Sequence, residues 1–188
     1  MRTTSHVFTR TRIVGVLIAA ALLACSTATP APADPPAFDA GAGLPTVGNF
    51  NPVTLNGTDQ LTSATIAPFV IADNSGALAG WHVTLTVPNF RNGSGADCSV
   101  GATAAIAGAN VSMQPPVVNA ADILTSMTGV TSTGFTDFTT PRSIITASAG
   151  NGAGTYDVAP ELLKLIVPAN TLVGAYCTEA TIAITTGP

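Results

Sequence analysis

Apolar and polar side chains alternate most cleanly within residues 73–90. Trp81, Val83, Leu85 and Val87 fall on one side of an extended strand and His82, Thr84 and Thr86 on the other, the period-two pattern of a strand buried on one face. Pro88 ends it. Upstream, Asp73-Asn74-Ser75-Gly76 is turn chemistry following a β-rich run over residues 67–73. The two runs are therefore predicted to pair as a hairpin, with a loop of about four to six residues.

The same reading extends along the chain. Residues 51–56 are predicted as a first short strand closed by the turn dipeptide Asn56-Gly57, and residues 61–72 as one or two more, broken near Pro68. Residues 98–107 are small and weakly β, 111–118 are extended around Pro115-Pro116, and 120–127 suit a short helix or turn with Asp122 near its start. Residues 130–140 read as loop or irregular edge strand, and 143–148, 156–159, 162–167 and 175–185 as further strands. No window keeps a helical period with caps. Short strands punctuated by Gly, Pro and Asn every eight to twelve residues or so predict an all-β protein. The expected architecture is an antiparallel β-sandwich, immunoglobulin-like in general terms, as a single domain over residues 51–188. Residues 34–50, with three prolines and three glycines, are expected as a flexible lead-in.

What precedes them reads as an export signal. Arg2, Arg10 and Arg12 lead into an uncharged apolar run over residues 13–24, short of the roughly 20 residues that span a bilayer permanently. Ala31-Pro32-Ala33 offers an A-x-A cleavage site, giving a secretory signal peptide over residues 1–33. A competing reading takes Leu22-Leu23-Ala24-Cys25 as a lipobox, with a lipoprotein signal over 1–24 and a membrane anchor through lipidated Cys25. Cleavage after Ala33 leaves Arg91, Arg142 and Lys164 against ten carboxylates, a formal charge of −7. Such acidity argues against nucleic acid as a partner and against adsorption to anionic surfaces by charge. It also leaves two cysteines, Cys98 and Cys177. In an exported protein an even pair is expected to form a disulfide, closing a loop of about 80 residues and contributing roughly 4 kcal/mol in the chain-entropy model; two buried thiols are the alternative.

Candidate chemistry is sparse. No cofactor is expected, and no cysteine-histidine or EF-hand spacing implies a metal. Nor does any nucleophile elbow or metal-ligand motif imply an enzyme, and His82, alone among threonines, is read as a solvated side chain rather than a general base. Trp81 either offers a ring for stacking on a sugar or is the largest core residue; its shared face with Val83, Leu85 and Val87 favours the core. Phe135 and Phe138, in a threonine-rich stretch, are the best candidates for aromatics exposed to a partner, set against an ordinary role covering the open end of the sandwich.

Four features in order carry a family resemblance: Leu55-Asn-Gly-Thr-Asp-Gln60, Val70 to Asp73 with Gly76, Gly80-Trp81-x-Val83, and a terminal block. That block, Leu163-Lys-Leu-Ile-Val-Pro168, Gly174-Ala-Tyr176, Ile182-Ala183-Ile184 and Pro188, resembles the closing pattern of the WxL domain of Gram-positive surface proteins: a strand, a proline, Gly-x-Tyr, W-x-L and a proline. Two positions depart from it. The first motif reads Trp81-His82-Val83, and the second has Ile182 in place of tryptophan, which keeps the β-propensity and apolar face of the position. The resemblance implies a secreted protein that associates non-covalently with cell-wall peptidoglycan alongside other surface proteins. Val83, Tyr176, Ile182 and Ile184 are then structural, and Trp81, Phe135 and Phe138 are the binding candidates. A rival function, that of a structural or adhesive subunit joining other surface proteins or itself through a strand edge, rests on polar-out alternation.

Overall fold

Valine, isoleucine and threonine dominate the runs that become regular structure, and β-branched side chains favour the pleated, half-buried surface of a sheet. The computed structural model describes residues 34–93 and 105–187. Its strands are β1 (Ala37–Phe38), β2 (Gln60–Ile66), β3 (Phe69–Asp73), β4 (Trp81–Thr86), β5 (Phe90–Asn92), β6 (Ala105–Ile106), β7 (Val111–Met113), β8 (Val118–Ala120), β9 (Val130–Ser132), β10 (Phe135–Thr136), β11 (Arg142–Ala147), β12 (Gly154–Val158), β13 (Glu161–Val167), β14 (Tyr176–Cys177) and β15 (Thr181–Thr186). Among the described residues the only helical turn is a 3-10 turn at Gly108–Asn110.

All pairings are antiparallel. Sheet A runs β1-β3-β12-β8, sheet B β10-β7-β13-β2, sheet C β15-β4-β11-β9, and a small ribbon runs β14-β5-β6. Each sheet sends its apolar face into one core: Ile71 and Tyr156 from sheet A, Leu163 and Leu165 from sheet B, Trp81, Val83, Leu85 and Ile145 from sheet C, and Phe90 and Ile106 from the ribbon. The fold is thus the all-β, antiparallel, single domain that the alternation predicts, with a core between sandwich-like layers.

Sheet C carries the stretch with the cleanest alternation. Its central strand β4 alternates buried and half-buried residues along its whole length, and β15 pairs with it in unbroken register, Ile182 opposite Leu85 and Ile184 opposite Val83. On its other side β11 pairs with a register shift between Ser143 and Ile145, which turns both Ile144 and Ile145 inward.

Three expectations change. The hairpin does not form: β3 pairs with β1 and β12 while β4 pairs with β11 and β15. Positive φ at Gly76, Leu78 and Gly80 (65°, 50° and 78°) carries the connection from sheet A to sheet C, because turn chemistry says that a chain turns and not that its flanks pair. Residues 51–56 are not a strand. Asn51 N–H bonds to Ser63 O at 3.0 Å, but Pro52 has no N–H with which to continue a ladder. Residues 34–50 are not a loose lead-in: β1 pairs with β3, the Phe38 ring sits edge-on to Phe69 at 5.5 Å, and Val47 bridges Ile66.

Other expectations hold. Residues 120–127 form a turn, in which Asp122 Oδ1 accepts from Leu124 N and Thr125 N, both at 2.8 Å. Those two backbone bonds hold the Asp122 carboxyl below the usual carboxylate range. Residues 130–140 supply β9 and β10, each an edge strand of its sheet. The predicted strand over 175–185 divides into β14 and β15, where the Thr178 hydroxyl donates to Pro88 O at 3.0 Å.

Candidate functional site

The Trp81 ring is fully buried. Its Nε1–H donates to Gly152 O at 2.9 Å, and Tyr156 meets it edge-on at 5.5 Å. A buried indole needs such a partner for its polar end, and none of its surface remains for a sugar. Val83 is likewise in the core, while Ile182 and Ile184 on β15 are half-buried and pack against it. Next to Trp81, on the opposite face, His82 Nδ1 lies 2.7 Å from Gly187 O. A carbonyl only accepts, so this nitrogen carries the proton.

Phe138 is completely buried, which removes it as an exposed binding candidate and leaves it a packing role. Val87 N donates to Phe138 O at 2.7 Å, which draws this residue onto the end of β4 and turns its ring inward. Phe135 is half-buried, edge-on to Phe138 at 6.0 Å, and its face is covered by the Arg142 guanidinium 5.8 Å from the ring centroid. Between them Asp137 takes φ 131° and accepts from the Thr139 hydroxyl and N–H at 2.6 and 2.9 Å. The Thr139 bonds, hydroxyl first, with help from Arg142, hold the Asp137 carboxyl below its ordinary range. This cluster fastens a corner of the sandwich, with the Phe138 ring buried and the half-buried Phe135 ring beneath Arg142.

The open concavity lies elsewhere. A cleft of about 870 Å³ runs between the extended residues 47–55 and the loop 171–180, over a floor of Val87, Phe90, Leu163 and Leu165. Its size is that of a small-ligand site. Phe50 stands half-buried in one wall, edge-on to Phe90 at 5.6 Å; Tyr176 stands half-buried in the other, its hydroxyl donating to Leu172 O at 3.0 Å. Asn49, Asn51 and Thr54 on one rim and Thr171 and Thr178 on the other supply amide and hydroxyl groups, and among the described residues no charged side chain lines the cleft. The walls are held by backbone: Gly48 N–H bonds to Thr65 O at 2.8 Å and Gly93 N–H to Ala175 O at 2.9 Å. Such a surface suits a neutral ligand with flat apolar faces and many hydroxyl or amide groups.

Cys177 lies half-buried on β14 in the same wall. Its expected partner Cys98 lies outside the described residues, as do Cys25 and the leader. Among the described residues, no group of three or more His, Cys, Asp or Glu side chains stands together as a metal site would require.

The family model for the WxL domain, described as a surface cell wall-binding domain, matches residues 48–186. The chain belongs to the WxL family. No curated protein and no solved structure matches it. The WxL match begins at Gly48, so it takes in almost the whole wall of the cleft that contains Phe50 and Asn51, and Gly174 and Tyr176 of the Gly-x-Tyr element line the opposite wall. The two W-x-L positions, by contrast, are neighbours on β4 and β15. As a WxL protein the chain is a cell-wall-binding surface protein, of a family defined by binding rather than by a reaction.

Sequence reasoning reads residues 34–50 as a lead-in and 51–56 as a short strand, so neither points to the wall of a cleft. The available signal was Phe50, a large apolar side chain in a segment otherwise composed for solvent.

Proposed function

We propose that the protein is exported and associates non-covalently with peptidoglycan, seating a segment of glycan in the cleft between residues 47–55 and 171–180. The observation that carries this reading is the cleft's lining among the described residues: two half-buried aromatic rings, neutral amide and hydroxyl side chains, and no charge. A glycan strand presents apolar sugar faces for Phe50 and Tyr176 and hydroxyl and acetamido groups for Asn49, Asn51 and Thr178, the pairing that aromatic and polar side chains make together. The leader over residues 1–33 delivers the chain to an oxidising space, where Cys98 and Cys177 pair and brace the wall that carries Tyr176. Lipidation at Cys25 remains the alternative mode of retention at the surface.

Sedimentation of the exported protein with purified peptidoglycan tests the reading, with an unrelated acidic secreted protein as control. Enrichment over the control is expected, and equal recovery sinks it. Thr54, exposed on the rim, gives the site-specific test: T54R places a long charged side chain across the mouth, should leave stability within about 0.5 kcal/mol, and should lower binding at least tenfold. Intact mass of the exported protein, with and without reductant and alkylation, separates cleavage after Ala33 from lipidation of Cys25 and reports the Cys98–Cys177 bond.

A further inference from the structure

Sheet C ends in an edge without the devices that normally keep sheet edges apart. β15 is six residues long and pairs on one side with β4; among the described residues no strand pairs with its other side. The remaining edge strands β1, β6, β8, β9, β10 and β14 are two or three residues long. The one longer edge, β2, is covered: Gly48 N–H and Asn51 N–H bond to Thr65 O and Ser63 O, and Ala67 N–H to Thr46 O. β15 contains no charge, no proline and no glycine, and its register with β4 has no bulge. Natural edges of this length usually carry one of these.

Its sequence, Thr181-Ile-Ala-Ile-Thr-Thr186, is close to symmetric about Ala183. We propose that β15 pairs antiparallel with β15 of a second copy, Ala183 facing Ala183 across a two-fold axis, joining two copies of sheet C into one continuous eight-stranded sheet. In that register Ile182 meets Ile184 of the other copy on the core-side face, Thr181 meets Thr185 on the outer face, and Ala180 meets Thr186. Every facing pair keeps its face, as the period of two demands. Both isoleucines are half-buried at the lip of the sheet, so the contact covers apolar area that one copy leaves open, and threonine pairs on the exposed face are favourable neighbours. The other symmetric registers are poorer. Centring on Ile184 sets Ile182 against Thr186, and centring on Ile182 leaves three residues of overlap. The W-x-L pattern is unsymmetric here; Ile182-Ala183-Ile184 is the departure that makes the strand self-complementary.

A lone six-residue strand pair is smaller than a standard interface. The dimer is therefore weak in dilute solution and forms where copies are concentrated. Two acidic copies also repel, and salt screens that repulsion, so association strengthens with ionic strength.

Sedimentation velocity on the exported full chain across a concentration series tests the pairing, with circular dichroism confirming that each variant folds. The wild type should shift from monomer toward dimer. Thr181 and Thr185 are exposed and face each other between copies, so T181K with T185K places like charges in contact and should hold the protein monomeric. T181K with T185E places opposite charges in contact in this register and should restore the dimer at low salt. A wild type that stays monomeric at every concentration overturns the proposal, as does a T181K/T185K variant that dimerises like the wild type. Loss of the dimer in both charged variants overturns the register and the proposal with it. None of these outcomes depends on wall binding, since the cleft residues are untouched.

Discussion

Gly152 is glycine because Trp81 leaves room for nothing larger. Its φ is 91°, a value that strains any residue with a Cβ, and a Cβ built there would stand 2.7 Å from Trp81 Nε1 and 2.5 Å from the Ala147 Cβ. Its carbonyl meanwhile accepts the indole N–H. Gly152→Ala should therefore cost about 2–4 kcal/mol, the sum of backbone strain and overpacking. A urea titration followed by tryptophan fluorescence reads this directly, because Trp81 is the only tryptophan; its emission in the folded wild type should be blue-shifted. Tyr156, on the other side of the indole, supplies a pH signature. Burial, and then the negative charge of Asp73, raise its phenol above the ordinary tyrosine value, which is about 10. The folded protein then keeps its proton where the unfolded chain has lost it. The contribution is complete below about pH 10 and is lost as pH rises toward the folded value. Melting temperature should fall over that alkaline window. Y156F should flatten the fall, though it starts less stable by about 1–2 kcal/mol for the one hydroxyl hydrogen shared between Ser126 O and Ala153 O.

Among the elements, the pair β4 and β15 shows how far a strand's sequence predicts its burial. The alternation at Trp81, Val83, Leu85 and Val87 predicted which face is buried, and all four are essentially sealed from solvent. On β15 the pattern Ile-Ala-Ile predicts the same inward face, yet both isoleucines are only half-buried. Position in the sheet makes the difference: β4 has neighbours on both sides, β15 on one, and strand order is not encoded in periodicity. The exposed reading of Phe138 fails for a related reason, and its packing role stands. A threonine-rich neighbourhood has the composition of an exposed loop, but one long-range bond, Val87 N–H to Phe138 O, decides where the ring goes. The consequence is a measurable asymmetry between residues that face each other. Leu85→Ala should cost about 3 kcal/mol and Ile182→Ala about 1 kcal/mol, since the cavity term applies fully only where the site is closed. Urea midpoints on dilute protein give both values. Equal costs would mean that the β15 edge is covered in solution, and repeating the measurement on concentrated protein should narrow the gap if copies pair there.

At the scale of the whole molecule, charge and cleft work separately. Residues 34–188 hold ten carboxylates and three basic side chains, and of those three none lines the cleft. The acidity, legible from composition, excludes attraction to an anionic wall by charge. The cleft was not legible, because it is assembled from two segments over 100 residues apart, neither of which forms a regular strand along most of its length. The contact proposed, through sugar faces, amides and hydroxyls, has little net Coulombic content, so salt should scarcely weaken it. Between 50 mM and 500 mM sodium chloride, over which the screening length shrinks from about 14 Å to about 4 Å, the fraction of protein sedimenting with peptidoglycan should change by less than about twofold. Any change should be an increase, as salt screens the repulsion between an acidic protein and anionic wall polymers. A tenfold fall over the same range would place the contact on Arg91, Arg142 or Lys164 instead, and R91A or K164A would then reproduce the loss at low salt while T54R would not.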